Sequence, residues 1–194
     1  MALYRIKTDS TWGGGGGYKK ITYTLSASLT ATNNGTDTVD ISKNSSNGSW
    51  DAHAYSDLSF TAPCTIEFNK QAGVTDNGVS YAMIGWNEDP TTNASYTSLD
   101  YSAFPYRTDT YSVYHNGSQV NFTGAWSTAE KFYIVYNTDG TIKHYNGSTL
   151  LYSVTYGTGK TVYVDSSFWS TNVTYGSITN IKVIERAWNG TAYA

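Results

Sequence analysis

The sequence is short of most features that announce a function. Only one of its 194 residues is cysteine, so no intrachain disulfide can form. That residue, Cys64, sits in Cys64-Thr65-Ile66-Glu67-Phe68, which reads as a strand, and a buried, inert thiol is expected there. Charged residues make up 14% of the chain and the formal net charge is −3. Lys19-Lys20 is the only adjacent basic pair, so the basic stripe of a nucleic-acid binder is missing. No stretch is apolar enough to span a membrane. The opening Met1-Ala2-Leu3-Tyr4-Arg5-Ile6-Lys7 lacks the apolar core of a signal peptide, so export by the classical route is not expected. Proline occurs only three times, and Leu, Glu, Lys and Gln, the usual helix formers, are scarce.

What the chain has instead is Tyr, Thr, Ser, Asn and Gly. Tyr and Thr suit a pleated, half-buried surface, and Gly and Asn suit tight turns. Gly13 to Gly17 form a flexible loop that lacks the Lys-Ser/Thr of a phosphate-binding loop. After it, Ile21, Tyr23, Leu25, Ala27 and Leu29 alternate with polar residues, which predicts one strand over Lys20–Leu29. Further strands are expected at Thr38–Ser42, Cys64–Asn69, Ser80–Asn87, Leu99–Tyr106, Thr110–His115, Gln119–Phe122, Lys131–Asn137, Thr141–Tyr145, Thr149–Thr155, Thr161–Phe168 and Ser177–Arg186. Asn116-Gly117, Asp139-Gly140 and Asn146-Gly147 are hairpin signals of the kind that takes positive φ at both central residues. No window carries a helical period, so the fold class is all-β, a sandwich or barrel. Alternation places Ile66, Phe68, Ile84, Phe132, Ile134, Tyr136, Val162, Val164, Ile181 and Val183 in the core. Asn-x-Ser/Thr recurs, at Asn34, Asn44, Asn47, Asn93, Asn116, Asn121, Asn146, Asn172 and Asn189. It reads as turn chemistry in a chain with no export signal.

From about Trp50 to Val183 the chain resembles the concanavalin A-like, SPRY-like jelly rolls found in phage tail and other virion proteins and in bacterial surface proteins. The likeness rests on Trp50-Asp51-Ala52-His53-Ala54-Tyr55-Ser56, Ile84-Gly85-Trp86-Asn87-Glu88-Asp89-Pro90, Asp100-Tyr101, Phe132-Tyr133-Ile134-Val135-Tyr136, Lys143-His144-Tyr145-Asn146-Gly147 and Asp165-Ser166-Ser167-Phe168. It implies a two-sheet antiparallel jelly-roll sandwich over residues 48–194, preceded by an N-terminal arm and accessory strands over 1–47. It also implies adhesion or receptor binding, often toward glycans. A fold of this kind hosts lectins and glycanases alike, so function has to be sought in the site.

The paired carboxylates of a jelly-roll glycanase are not found. Glu67 is followed two residues on by Asn69, and Glu88-Asp89 are adjacent and point apart in an extended chain. His and Cys are too scattered for zinc. No cofactor is expected. Calcium is possible through Asp51, Asp57, Asp89 or Asp165, although these residue types also serve as turn carboxylates. Loop-borne Trp and Tyr can stack on sugar faces or anchor a protein interface. Trp12, Trp50, Trp86, Trp126, Trp169 and Trp188, with Tyr96, Tyr106 and Tyr175, are the pool of candidates, and core packing competes for Trp50 and Trp86. The expected contact surface comprises Tyr106, Arg107, Asp109, Trp169 and Trp86. Arg107 and Asp109 lie two apart, so they either hold hydroxyl groups together or form a plain structural ion pair.

The expectation is therefore a non-catalytic binding or structural module of a phage particle, on a virion or extracellular surface. Its partners would be a glycan or neighbouring virion proteins, with no nucleic acid and no membrane, and the chain could be a homo-oligomer such as a trimer. The competing reading is a polysaccharide-degrading enzyme of the same fold.

Overall fold

The computed structural model describes residues 17–44, 48–70, 80–106, 110–123, 130–170 and 177–194. It is an antiparallel sandwich of two seven-stranded sheets. In chain order the strands are β1 (Tyr23–Leu25), β2 (Leu29–Thr32), β3 (Val39–Lys43), β4 (Ala52–Phe60), β5 (Cys64–Lys70), β6 (Ser80–Asn87) and β7 (Tyr101–Tyr106). They continue with β8 (Thr110–His115), β9 (Ser118–Thr123), β10 (Phe132–Tyr136), β11 (Thr141–Asn146), β12 (Thr149–Thr155), β13 (Val162–Ser170) and β14 (Ser177–Ile184). Sheet I runs β1-β4-β13-β6-β7-β8-β9, and sheet II runs β12-β11-β10-β5-β14-β3-β2. The helical content among the described residues is one 3-10 turn, Tyr96–Ser98, and no helix is long and apolar enough to cross a membrane.

The core lies between the sheets and is built by period-two alternation. All ten residues assigned to it from the pattern are buried, none more than 1% exposed. Cys64 is also buried there, and burial raises its thiol above the ordinary range. Two polar links cross the core. The Trp86 indole N–H donates to the Ile134 carbonyl at 3.2 Å, and the Tyr111 hydroxyl meets His144 Nδ1 at 2.9 Å. Burial lowers the His144 imidazole to about 3 and so keeps the ring neutral.

Two local expectations are corrected. The alternating run Lys20–Leu29 is not one strand. It turns at Ser26, where the Leu29 amide bonds back to the Ser26 carbonyl at 3.0 Å, and the chain passes from sheet I (β1 on β4) to sheet II (β2 on β3). Tyr23 and Leu29 stay buried on both sides of the crossing, so the turn leaves the pattern intact. Positive φ at both central residues is found only at Asn116-Gly117 (45° and 73°). At Gly140 and Gly147 the glycine alone is left-handed. Gly140 follows a turn closed by its own amide on the Asn137 carbonyl, while Gly147 opens a two-residue loop between paired Asn146 and Thr149.

Asparagine side chains act in turns, as the composition suggests. Asn189 accepts from the amides of Thr191 and Ala192. Asn34 occupies the open edge of β1: its Oδ1 accepts from the Tyr23 amide at 2.7 Å and its Nδ2 donates to the Tyr23 carbonyl at 3.1 Å. Beside it, the Gly35 amide donates to the Ile21 carbonyl, and the Ile21 amide donates to the Thr36 carbonyl.

Candidate functional site: an aromatic groove on sheet I

On β6, Ala82, Ile84 and Trp86 face the core, so Tyr81, Met83, Gly85 and Asn87 face outward. Cross-strand pairing extends that outward surface over sheet I. His53, Ser167 and Met83 share one rung, and Tyr55, Asp165, Gly85, Ser102 and Tyr114 share another. An outward face is ordinarily polar, but here it carries a second apolar cluster of Met83, Leu99 and Phe104, packed by Trp50, Tyr81, Tyr96 and Tyr114. All of these side chains but Leu99, with Ser112 and Gln119, line a groove of about 330 Å³.

The loop 88–100 forms one bank of the groove. It is rooted on β13, where the Ser167 hydroxyl donates to the Ala94 carbonyl at 2.6 Å and the Asp165 carboxylate accepts from Asn87 Nδ2 at 2.8 Å. Asn87 Oδ1 in turn accepts from the Asp89 amide at 3.1 Å. The 3-10 turn is capped by Ser95 and brings Tyr96 to within 5.0 Å of Trp50 and 5.7 Å of Tyr114, measured between ring centroids. Trp50 lies 5.9 Å from Phe104 and 6.2 Å from Tyr81. Rings set at these separations and mostly tilted hold one another in place and leave half-buried faces at the groove. Burial, followed by the neighbouring Tyr96, raises the Tyr114 hydroxyl, so it stays a neutral donor and acceptor. Among the described residues the groove lining is uncharged.

The expected site residues fare differently. Trp169 lies next to the end of β13, half-buried and stacked on Tyr81 at 4.8 Å, so it adjoins the groove through that ring. Trp50 and Tyr96, in the wider pool, line the groove itself. Trp86 is corrected: it is wholly buried between the sheets, tilted on Phe60 and bonded to Ile134, and has no surface to offer a ligand. The backbone of Tyr106 closes β7 at the Trp169 end of sheet I, while its side chain, Arg107 and Asp109 lie outside the described residues. Trp188 packs on the far side of the molecule, stacked on Tyr133 at 4.5 Å. Reading loops for aromatics missed Tyr81, Met83, Ser112, Tyr114 and Gln119, which belong to strands. The available signal was Tyr81 and Met83 in the row that alternation assigns to solvent.

The four carboxylates considered for calcium do not converge on one point. Asp51 pairs with Lys43 at 2.9 Å, Asp57 accepts from the Thr22 amide, Asp89 accepts from the Thr92 hydroxyl, and Asp165 lies under the loop. Among the described residues no three His, Cys, Asp or Glu side chains converge. Asp165 is 1% exposed and burial pushes its carboxyl up to about 7; the bonds from Asn87 and the Ser166 amide hold it down, and Asp89 and Asp100 push it up.

No family model and no curated protein sequence matches this chain. Solved structures do. The carbohydrate recognition domain of Emp46p in its potassium-bound form is similar over 84% of this chain and 88% of that one, with a TM-score of 0.57 at 9% identity. A carbohydrate recognition domain of Emp47p covers 84% and 86%, with a TM-score of 0.51 at 11% identity. The β-glucanase of Bacillus licheniformis covers 91% and 95%, with a TM-score of 0.50 at 11% identity. At these identities the likeness is one of fold. It agrees with the concanavalin A-like jelly roll that the sequence resembles.

Proposed function

We propose that this chain is a carbohydrate-binding domain that holds an uncharged saccharide in the aromatic groove of sheet I. The observation that carries this reading is the groove itself. Trp50, Tyr81, Tyr96 and Tyr114 present half-buried ring faces around a volume suited to a small ligand, with Ser112, Gln119 and the tyrosine hydroxyls as hydrogen-bonding partners. Sugar C–H faces stack on such rings, and an uncharged lining gives no counter-charge to a sialylated or uronic sugar. Two carbohydrate recognition domains among the structures of similar fold support the same reading. Binding is favoured over hydrolysis because the described groove lining holds no carboxylate and Asp165 is enclosed beneath the loop, whereas glycoside hydrolysis ordinarily needs two carboxyl groups facing the scissile bond. A place on a virion surface, with neighbouring virion proteins as further partners, belongs to the proposal through the sequence resemblance. Labelling of particles with an antibody to the chain tests it.

The test of the site is an array of neutral and acidic oligosaccharides, followed by titration calorimetry. Binding is expected for neutral members only. Tyr96→Ala and Trp50→Ala should each weaken it by about 2 kcal/mol, roughly thirtyfold. Preference for acidic glycans, or affinity unmoved by both substitutions, would place the site elsewhere. Release of reducing ends from a neutral polysaccharide would establish the enzyme instead.

A further inference from the structure

The loop 88–100 reaches the second cluster through Leu99 and the Tyr96 ring, and polar groups also tie it to sheet I. Two of these groups come from β13. Ser167 holds the Ala94 carbonyl, and Asp165 holds Asn87, which holds the amide of Asp89. Asp165 is enclosed by like charge. Asp89 and Asp100 act on it from the loop; β4 offers the Tyr55 phenol on the same rung and the His53 imidazole on the next, where burial disfavours a proton on the ring. On its own strand the outward neighbour is Tyr163, and on β6 the residue opposite is Gly85. The nearby cation Lys160 is engaged by Glu88, beyond Asp100 and Tyr156. Enclosed, the Asp165 carboxyl is therefore more stable with its proton on. With the loop lifted it would meet water and ionise in the ordinary carboxylate range.

We propose that Asp165 and Ser167 are positioning residues for the groove: they pin the 88–100 loop, and with it Tyr96, onto sheet I, and the loop closes best over a protonated Asp165, because enclosure disfavours the ionised carboxylate more than its accepted bonds favour it. Since Tyr96 and its contacts with Trp50 and Tyr114 form one bank, raising the pH loosens that bank and weakens ligand binding. The link to ligand binding rests on the saccharide reading; the pinning of the loop does not. The sign follows from proton linkage. The closed loop binds a proton that the open loop releases, so closure is fully favoured below the ordinary carboxylate range. That advantage is lost as the pH rises toward about 7, and above that value opening no longer depends on pH.

Hydrogen exchange of the amides of residues 88–100, corrected for intrinsic rates, reads the loop with no ligand present. Between about pH 4.5 and 7 the opening equilibrium of the wild type should rise by up to tenfold per pH unit and then level off. Asp165→Asn should be flat over the same range. Ser167→Ala should open more readily at every pH and keep the step. A flat wild type, or a step that persists in Asp165→Asn, overturns the proposal. Titration with mannotriose and cellotetraose across the same range separates the two readings. A step in exchange with no saccharide bound at any pH keeps the clamp and removes the saccharide, whereas saccharide binding with no step in exchange does the reverse.

Discussion

At the scale of single residues, the molecule separates aromatics that look alike in the sequence. Trp86 and Trp50 were equal candidates for core or surface, and only their neighbours decide between them. Trp86 alternates into the inter-sheet core, and its truncation to alanine should cost about 3–5 kcal/mol of unfolding free energy in urea melts. Trp50 precedes β4 and packs on the outward rings, so the same change should cost binding far more than folding. Equal stability losses in the two variants would show that the outward cluster is a second core and not a groove. Gly85 is a sharper case. A Cβ there would lie 1.9 Å from the Tyr101 carbonyl oxygen and 2.6 Å from Ser102 Cα, both backbone atoms that cannot move aside without breaking the β6–β7 pairing. Gly85→Ala should destabilise by about 3 kcal/mol, the upper part of the usual overpacking range, and calorimetry of unfolding checks it.

At the scale of elements, alternation and turn chemistry account for most of what could be read in advance. β6, β8 and β12 have the expected bounds, and most other strands differ by a residue or two at either end. The Asn116-Gly117 hairpin has the expected backbone. Asn116→Ala, placing a Cβ residue without a helpful side chain at φ 45°, should therefore cost about 1–2 kcal/mol, and Asn116→Gly should be nearly neutral in thermal melts. What escaped has physical reasons. β4 was not assigned as a strand. Ser56, Asp57 and Leu58 form an irregularity in it: Tyr163 pairs with Ser59 while Asp165 pairs with Tyr55, and the Ser56 hydroxyl fills the gap by bonding the Val164 amide and the Leu58 carbonyl. The two extra residues keep the period-two parity, with Ala52, Ala54, Ser56 and Phe60 all buried, but the inward side chains before Phe60 are small and Leu58 is exposed, so hydrophobicity does not alternate along the strand. The groove was half legible for a related reason. Its loop-borne members, Trp50 and Tyr96, stand out in the sequence. Its strand-borne members are brought together only by the cross-strand order of β6, β7, β8 and β9, which composition does not encode.

At the scale of the whole molecule, two buried titrating groups oppose each other. His144, lowered to about 3, contributes stability that is full above pH 6.5 and is lost as the pH falls toward 3. Asp165, raised to about 7, contributes stability that is full below the ordinary carboxylate range and is lost as the pH rises toward 7. Each slope is about 1.4 kcal/mol per pH unit, so between roughly pH 4 and 6.5 the two cancel. Urea midpoints should show Asp165→Asn gaining stability with rising pH in that window and His144→Gln losing it. A flat profile in either variant would mean that the group it retains titrates normally. One feature of the outline also bears on how copies of the chain could meet. A sheet grows by adding a strand to a free backbone margin, and indefinite growth needs such a margin at both ends. In sheet I the Asn34 amide already occupies the backbone of Tyr23 at the β1 end, and the turn behind it takes up Ile21. Among the described residues, strand-by-strand extension of this sheet is therefore open at β9 and not at β1. If copies join at β9, sheet I offers no second margin, and the series through that sheet stops at a pair.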